Sequence, residues 1–244
     1  MASGFLTLIS FFTRIPVGRK IMYSEENFKK SLSLYTLMGA VIGLILALIY
    51  MVFANIRITF VRGLVLTMAY VAVTGGIHLD GATDTSDGLF SGRTGDRVFE
   101  IMSDSHIGAF GVICLVMILL SQFVFFSYAD MSACMMMPVV GRASLTASCY
   151  NKKYAKKTKG MGTLFVESMT LQVVAANMAI LAALIIVLPN SAVLAAACFA
   201  SLVSAVFISG WVEGRIGGMT GDTCGFVTEM TQIIFMILVL FLKG

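Results

Sequence analysis

Seven long apolar runs constrain this chain more than any other feature. Residues 31–53 contain no charged side chain, and neither do residues 108–129, 169–188 or 191–210, the last two separated by Pro189-Asn190. The remaining runs are 63–77, which extends an apolar stretch from Phe60 interrupted by Arg62, then 131–150 with the single cation Arg142, and 226–242. A membrane-crossing helix needs about 20 mainly apolar residues, and within lipid a helix satisfies its own backbone hydrogen bonds. Charged residues make up 12% of the chain and hydrophobic residues 58%, whereas a soluble domain carries roughly 25% charge. That balance excludes a soluble globular domain, and it excludes disorder, which needs low hydrophobicity and high charge. The expected architecture is all-α: a polytopic integral membrane helix bundle of about seven transmembrane helices plus short interfacial helices, in a single membrane-embedded domain over residues 1–244. Residues 1–13 are too short to span. Phe5, Leu8, Ile9 and Phe12 recur at helical spacing, which predicts a short helix in the interface. No charged segment precedes this run, so it does not read as a signal peptide.

The net charge of +4 is explained by topology, with no need of nucleic acid. If the segment around Arg14 is cytoplasmic, seven spans place 13 of the 17 lysines and arginines in the cytoplasm. These are Arg14, Arg19, Lys20, Lys29, Lys30, Arg93, Arg97, Lys152, Lys153, Lys156, Lys157, Lys159 and Arg215, as the positive-inside rule requires. The same topology puts the acid-rich segment 78–107 and the Gly-rich segment 214–225 on the cytoplasmic side. Five scattered cysteines (Cys114, Cys134, Cys149, Cys198, Cys224) with no C-x-x-C suggest neither a disulfide framework nor a zinc site.

Six of the 13 acidic residues fall between Asp80 and Asp104. On a helix, Asp80, Asp84 and Asp87 sit at i, i+4 and i+7, within about 60° of one another. Like charges so placed repel, and the stripe makes sense if a cation sits among them. Carboxylate oxygens point to magnesium, with manganese as a substitute. The plainer reading is a solvated acidic face, but the stripe starts at a membrane boundary and is interleaved with glycines. A second short helix fits residues 96–106. There Glu100 reads equally as a salt-bridge partner of Arg97 or Arg93, and Asp104 is the better site candidate.

The second constellation runs from Arg215 through Gly217, Gly218, Gly221 and Asp222 to Glu229. Glycines let backbone N–H groups approach a phosphate, and Asp222 and Glu229 are spaced to share a helix face. The alternative is a plain turn with Asp222 as the N-cap of the last helix, although a carboxylate such as Glu229 within a span is costly unless paired or metal-bound. Arg142 carries a similar insertion cost of about 2.5–3.5 kcal/mol, so it should face the bundle and meet an aspartate or a substrate phosphate. The Lys152–Lys159 run is better explained as a positive-inside signal than as phosphate contacts. His78 reads as an orienter of Asp80 or as an interfacial residue. No G-x-S-x-G, Walker A or H-E-x-x-H motif occurs.

Together these residues resemble a known family. Gly75-Gly76-Ile77-His78-Leu79-Asp80-Gly81, Asp84-Thr85, Asp87-Gly88, Glu100-Ile101-Met102 and Asp104-Ser105 with Ile107-Gly108 are similar to the signature of cobalamin synthases, the adenosylcobinamide-GDP ribazoletransferases. Phe12-Thr13-Arg14-Ile15-Pro16-Val17, Arg142, Tyr154-Ala155 with Gly160-Met161-Gly162, and Gly217-Gly218 with Thr220-Gly221-Asp222 and Glu229 extend the likeness along most of the chain. His106 stands where the family usually has Arg, and Gln232 where a further Glu is common, so Gln232 is left out of the metal set.

The resemblance implies a multi-pass enzyme of the cell (inner) membrane with its site facing the cytoplasm. It implies that the 5'-hydroxyl of α-ribazole, or of its 5'-phosphate, attacks the corrinoid-bound phosphate of adenosylcobinamide-GDP and displaces GMP. Magnesium would be held by Asp80, Asp84, Asp87 and Asp222, with Glu229 beside them. Arg14, Arg142 and Arg215 would offset diphosphate charge, Asp104 would take the hydroxyl proton, and Gly217, Gly218 and Gly221 would line the phosphate path. Membrane lipid is the remaining partner, and association into an oligomer is left open. Two other readings stand beside this one: a CDP-alcohol phosphotransferase, whose aspartate spacing differs, and a divalent-cation transporter, whose carboxylates would lie nearer the bilayer midplane.

Overall fold

In a computed structural model, which describes residues 2–17 and 24–243, the described chain is helical throughout and has no strand, apart from one isolated bridge between Tyr154 and Met219. Arg19 and Lys20 lie outside the described residues. The helices are α1 (Ala2–Phe12), α2 (Glu25–Ser31), α3 (Tyr35–Phe53), α4 (Thr59–Thr74), α5 (Ile77–Phe90), α6 (Asp96–Met102), α7 (Ala109–Tyr128), α8 (Met131–Ser148), α9 (Met161–Glu167), α10 (Leu171–Val187), α11 (Ser191–Ile216) and α12 (Gly221–Lys243). A single 3-10 turn, Leu32–Leu34, joins α2 to α3. All seven apolar runs are therefore helices, and α1 is the short amphipathic element expected at the start.

The seven long helices run alternately between two ends of the bundle. One end is marked by Asp130 at the start of α8, which pairs with Lys243 at the close of α12 and accepts from Asn190 in the α10–α11 turn (2.9 Å). Arg62 of α4 caps the same end by donating to the carbonyls of Phe126 and Ser127. The opposite end gathers α1, α2, α5, α6, α9 and the start of α12. The apolar core divides accordingly, with one cluster around Phe12, Tyr35, Leu145 and Phe165 and another around Ile42, Phe125, Met137 and Phe235.

Composition sorts these helices into two kinds. Four stretches are long and apolar enough to cross a membrane, Glu25–Phe53, Ala109–Tyr128, Ser191–Ile216 and Gly221–Lys243, and the number rises to six if each of two bent pairs is one span. α8 falls short of that apolar standard although it runs the length of the bundle with the other six long helices, so the seven long helices expected are all present. Its Ser, Thr, Gly and Arg side chains lower its hydropathy, and almost all of it is buried against α3, α10, α11 and α12. It passes through the bundle inside protein, where lipid does not select for apolar residues.

The bent pairs shape the site end. Gly75 and Gly76 both adopt left-handed backbone (φ 64° and 70°), and the chain turns by 88° between α4 and α5. α5 therefore lies across the end of the bundle, with the Arg14 side chain over Gly75 where a Cβ would stand. A similar bend of 86° separates α9 from α10. Reporter fusions test the two-ended arrangement in the membrane: fusions after Ser91, Lys157 and Gly218 should all read cytoplasmic, and fusions after Asn55 and Pro189 external. Opposite readings after Ser91 and Gly218 would separate elements that this fold holds together.

Candidate active site

The site is built where α5 crosses the first turn of α12. Two glycines allow the approach. A Cβ on Gly81 would lie 2.7 Å from the Asp222 carbonyl oxygen, and one on Gly225 would lie 2.7 Å from that of His78. α12 starts with a reciprocal threonine cap: Thr223 N–H donates to Thr220 Oγ1 (3.1 Å), and Thr220 N–H donates to Thr223 Oγ1 (2.7 Å). Thr220 thus does the capping that the sequence offered to Asp222. The Asp222 carboxylate instead accepts from Lys156 Nζ (2.8 Å) and faces the α5 acids.

Asp80 and Asp84 share the α5 face expected for them. Burial first, then the charges of Asp80 and Asp222, push the Asp84 carboxyl up to about 6. Excess negative charge of this kind suits a hard cation. Even so, among the described residues no three carboxylate, imidazole or thiol groups converge closely enough to enclose a metal ion.

Asp87, expected beside them, is engaged elsewhere. Its two oxygens accept from the backbone N–H groups of Gly108 (2.7 Å) and Gly111 (2.8 Å), which caps α7 and ties α5 to it. The i+7 spacing placed Asp87 on the stripe, but the orphan donors of a helix start lay within its reach.

The remaining candidates disperse. Asp104 sits in the exposed α6–α7 connection, where its carboxylate accepts from His106 N–H (3.0 Å) and pairs with His106 Nδ1 (2.8 Å); these bonds hold its carboxyl below the usual range. Glu100 forms an exposed ion pair with Arg97. Arg215, also exposed, stacks on Trp211 at 5.6 Å. Gly217 ends α11 in a left-handed turn, and Gly218 packs against the Lys153 backbone beside the bonds Met219 N–H to Lys153 O and Ala155 N–H to Met219 O, both 2.8 Å. Gly218 thus lets the basic loop lie against the bundle, Gly217 only turns the chain, and Gly221 lines a cavity with Asp222.

Arg142 and Glu229 are fully buried inside the bundle, away from the carboxylates of α5. Arg142 Nη1 donates to Tyr70 Oη (3.0 Å), which in turn donates to Gln232 Oε1 (3.0 Å). Glu229 accepts from Gln122 Nε2 (3.2 Å) and attracts Arg142 electrostatically. Arg142 Nε and Nη2 have no hydrogen-bond partner. Sequence reasoning assigned Glu229 to the metal set and Arg142 to a phosphate or an aspartate. The fold instead buries both within the bundle, where Arg142 bonds to Tyr70 and Glu229 to Gln122, and the two attract each other without forming an ion pair among the described residues.

Two cavities open at the acidic crossing. The larger, of about 640 Å³, is lined by Arg14, Thr13, Gly75, Gly76, Asp80 and Thr83 among others. The smaller, of about 220 Å³, is lined by Phe12, His78, Leu145, Phe165, Gly221 and Asp222. Asp80 belongs to both. Of the four side chains expected to do chemistry, Arg14 is the one that reaches a cavity with the acids. Lys156, set aside as a topological signal, is the second cation of the site. Its pairing with Asp222 spans 66 residues, and no local pattern encodes that distance.

A bundle of apolar helices with a charged, two-cavity crossing at one end defines a polytopic helical membrane protein. Residues 4–240 match the family described as Cobalamin-5-phosphate synthase, and the chain belongs to that family. It is 31% identical over 238 residues to the adenosylcobinamide-GDP ribazoletransferase of Clostridium acetobutylicum, covering 96% of this chain and 94% of that protein. It is 32% identical to the protein of the same name from Acetivibrio thermocellus, covering 96% and 95%. No solved structure matches the chain.

The placements of Asp84 and Asp87 make opposite predictions. A proton and a cation compete for Asp84, so Mn²⁺ affinity should fall as pH drops through about 6. Asp84→Asn should weaken binding at pH 7 and flatten that pH dependence. Asp87→Ala should leave Mn²⁺ affinity unchanged and cost about 1 kcal/mol of stability through the lost α7 cap. Paramagnetic titration and thermal unfolding read the two effects, and loss of Mn²⁺ binding in Asp87→Ala would return that residue to the metal set. For these two buried residues, Arg142→Met or Glu229→Gln alone should destabilise by about 1–3 kcal/mol, the cost of leaving hydrogen-bond partners unmatched. The double variant should cost less than the sum of the two; additive losses would show that they do not interact.

Proposed function

We propose that the chain is an adenosylcobinamide-GDP ribazoletransferase acting in the nucleotide-loop assembly of cobalamin. The observation that carries this reading is the family match over residues 4–240, in which both cavity-lining acidic segments lie. The reaction joins the corrinoid-bound phosphate of adenosylcobinamide-GDP to the 5'-hydroxyl of α-ribazole or its 5'-phosphate. The new P–O bond forms as the diphosphate P–O bond breaks, the hydroxyl proton is lost, and GMP carries away the electron pair of the broken bond. This is a phosphotransferase-type step, in which positioning and charge neutralisation count for more than a protein nucleophile.

The chain's own groups suit that work. Arg14 brings a guanidinium to the larger cavity, and Lys156 brings an ammonium to Asp222. Asp80, lining both cavities, stands where two substrates would meet. Magnesium would draw on the hard oxygens of Asp80, Asp84 and Asp222, although the three do not enclose an ion by themselves and Lys156 offsets part of the charge at Asp222. When bound there it would neutralise diphosphate oxygens. Asp87 and Glu229 are already committed within the protein and fall outside this set. The site end carries the basic segments, so we place it in the cytoplasm, with the bundle in the cell membrane. A cation transporter is disfavoured because the acids gather at one end of the bundle.

Purified protein in lipid nanodiscs, supplied with adenosylcobinamide-GDP, α-ribazole and magnesium, should release GMP and form a corrinoid bearing the lower ligand. Asp80→Asn should lower turnover by at least a hundredfold. Metal flux in proteoliposomes without GMP release would overturn the reading.

A further inference from the structure

Arg215 belongs to the Gly-rich constellation of the sequence, yet the fold leaves it exposed and outside both site cavities. Its guanidinium lies over the ring of Trp211 at 5.6 Å, and among the described residues it forms no ion pair or side-chain hydrogen bond. Trp211 stacks in turn on Phe90, with ring centroids 5.9 Å and planes 30° apart, and Phe90 meets Phe110 at 6.1 Å. The three rings come from three elements: Phe90 closes α5, Phe110 lies in the first turn of α7, and Trp211 lies in the last two turns of α11. Each stays open on one side, with 47% of Phe90, 47% of Phe110 and 38% of Trp211 exposed. A patch of aromatic rings left open in this way marks contact with a partner or with lipid.

The helices that carry the patch decide what covers it. On α11, Val203, Phe207, Trp211 and Arg215 follow one another turn by turn, and all four are exposed. On α7, Phe110, Ile113 and Met117 do the same. Both helices are long and apolar enough to cross a membrane. Toward the site end the α11 stripe passes from Val and Phe through Trp to Arg. Hydrocarbon accepts the first two, tryptophan is enriched at the boundary between hydrocarbon and headgroups, and a basic side chain beyond it meets the phosphates. A guanidinium matches a phosphate with two parallel hydrogen bonds, and that of Arg215 has no such acceptor within the protein.

We infer that Phe90, Phe110, Trp211 and Arg215 form an interfacial anchor at the headgroup boundary of the bilayer, with the Arg215 guanidinium on a lipid phosphate. The anchor also sets the depth of the acidic crossing. α4 packs along α7, and α5 is turned by 88° from α4, so α5 lies close to the plane of the membrane. Asp84 is six residues before Phe90, about 9 Å along the same helix. With Phe90 held at the boundary, Asp80 and Asp84 stand at headgroup level, and a ligand meets them at the lipid surface. Arg215 thereby serves the site through the position of α5, without touching what binds there.

Trp211 is the single tryptophan of the chain, so its fluorescence reports the anchor directly. The full protein is reconstituted in phosphatidylcholine vesicles carrying a nitroxide either at the headgroup end of the acyl chain or at its tip, with neutral acrylamide as the aqueous quencher. The headgroup-end label should quench Trp211 at least twofold more strongly than the tip label, and acrylamide should quench it weakly. The same order should hold in the double variant Trp211→Phe, Phe90→Trp, which moves the tryptophan onto α5. Phosphatidylglycerol bearing the headgroup-end label should be enriched about fivefold over labelled phosphatidylcholine at Trp211, which corresponds to about 1 kcal/mol for one basic residue at an anionic surface. Arg215→Gln should bring that ratio close to one. Strongest quenching by the tip label would put the patch in the hydrocarbon, and acrylamide quenching without lipid quenching would put it in the aqueous phase; either overturns the inference. So does the absence of both, which would mean that a second copy of the chain covers the patch. An enrichment that Arg215→Gln leaves unchanged overturns the phosphate contact, and different depths for the two tryptophans overturn the placement of α5.

Discussion

The site depends on the close crossing of α5 and α12. Helices packed through ordinary side chains lie about 8–10 Å apart, and the carboxylates they carry stay separated. Gly81 and Gly225 remove the side chains at the point of contact, so each backbone meets the other directly. Asp80 and Asp84 are thereby brought to Asp222 across 138 residues of chain, and their mutual repulsion appears in the raised proton affinity of Asp84. The bend at Gly75-Gly76 serves the same end, since a straight continuation of α4 would carry α5 away from α12.

The bundle handles its polar residues by rank of burial. α8 carries the hydroxyls, glycine and arginine that lipid would penalise, and it is enclosed by its neighbours. Arg142 bonds to Tyr70, which bonds on to Gln232, while Glu229 bonds to Gln122 and adds an electrostatic attraction. This cluster sits between the two apolar cores and is separate from the α5 carboxylates. Its unpaired guanidinium nitrogens show that the match is incomplete, and a buried arginine of this kind holds neighbouring helices in one register because any slip exposes the charge to lipid.

Cations reach the site from segments with no regular relation to it. Arg14 follows α1 and is fixed by its backbone bond to Val73 O (2.7 Å) and by the space above Gly75. Lys156 rides on the loop that Gly218 and Met219 pin to the bundle. The two cavities share Asp80, so one carboxylate lines both. An enzyme that must join a large amphiphilic corrinoid to a small nucleoside gains from separate recognition surfaces meeting at one shared wall.

Much of this was legible in the sequence because it is local. Apolar runs about as long as a bilayer is thick determine helices, and the i, i+4 spacing of Asp80 and Asp84 determines a shared face. Pro189-Asn190 determines the turn between two spans, whereas the bend at Gly75-Gly76 lies inside an apolar run that the sequence presents as continuous. Tertiary structure decided which polar residues serve the site. Asp87 matches the stripe by spacing but is taken by the free N–H groups of α7, and Glu229 matches Asp222 by spacing but lies two turns deeper, bonded to Gln122. Asp104 and Arg215 lie near the motifs in sequence and outside the two site cavities in space, whereas Lys156, which reads in the sequence as a topological signal, pairs with Asp222, and His78, which reads as an orienter of Asp80 or an interfacial residue, is buried beside Tyr35. Periodicity specifies the direction of a side chain about its own helix. The partner it meets depends on how close the helices pack, and that is set by contacts between residues far apart in the chain.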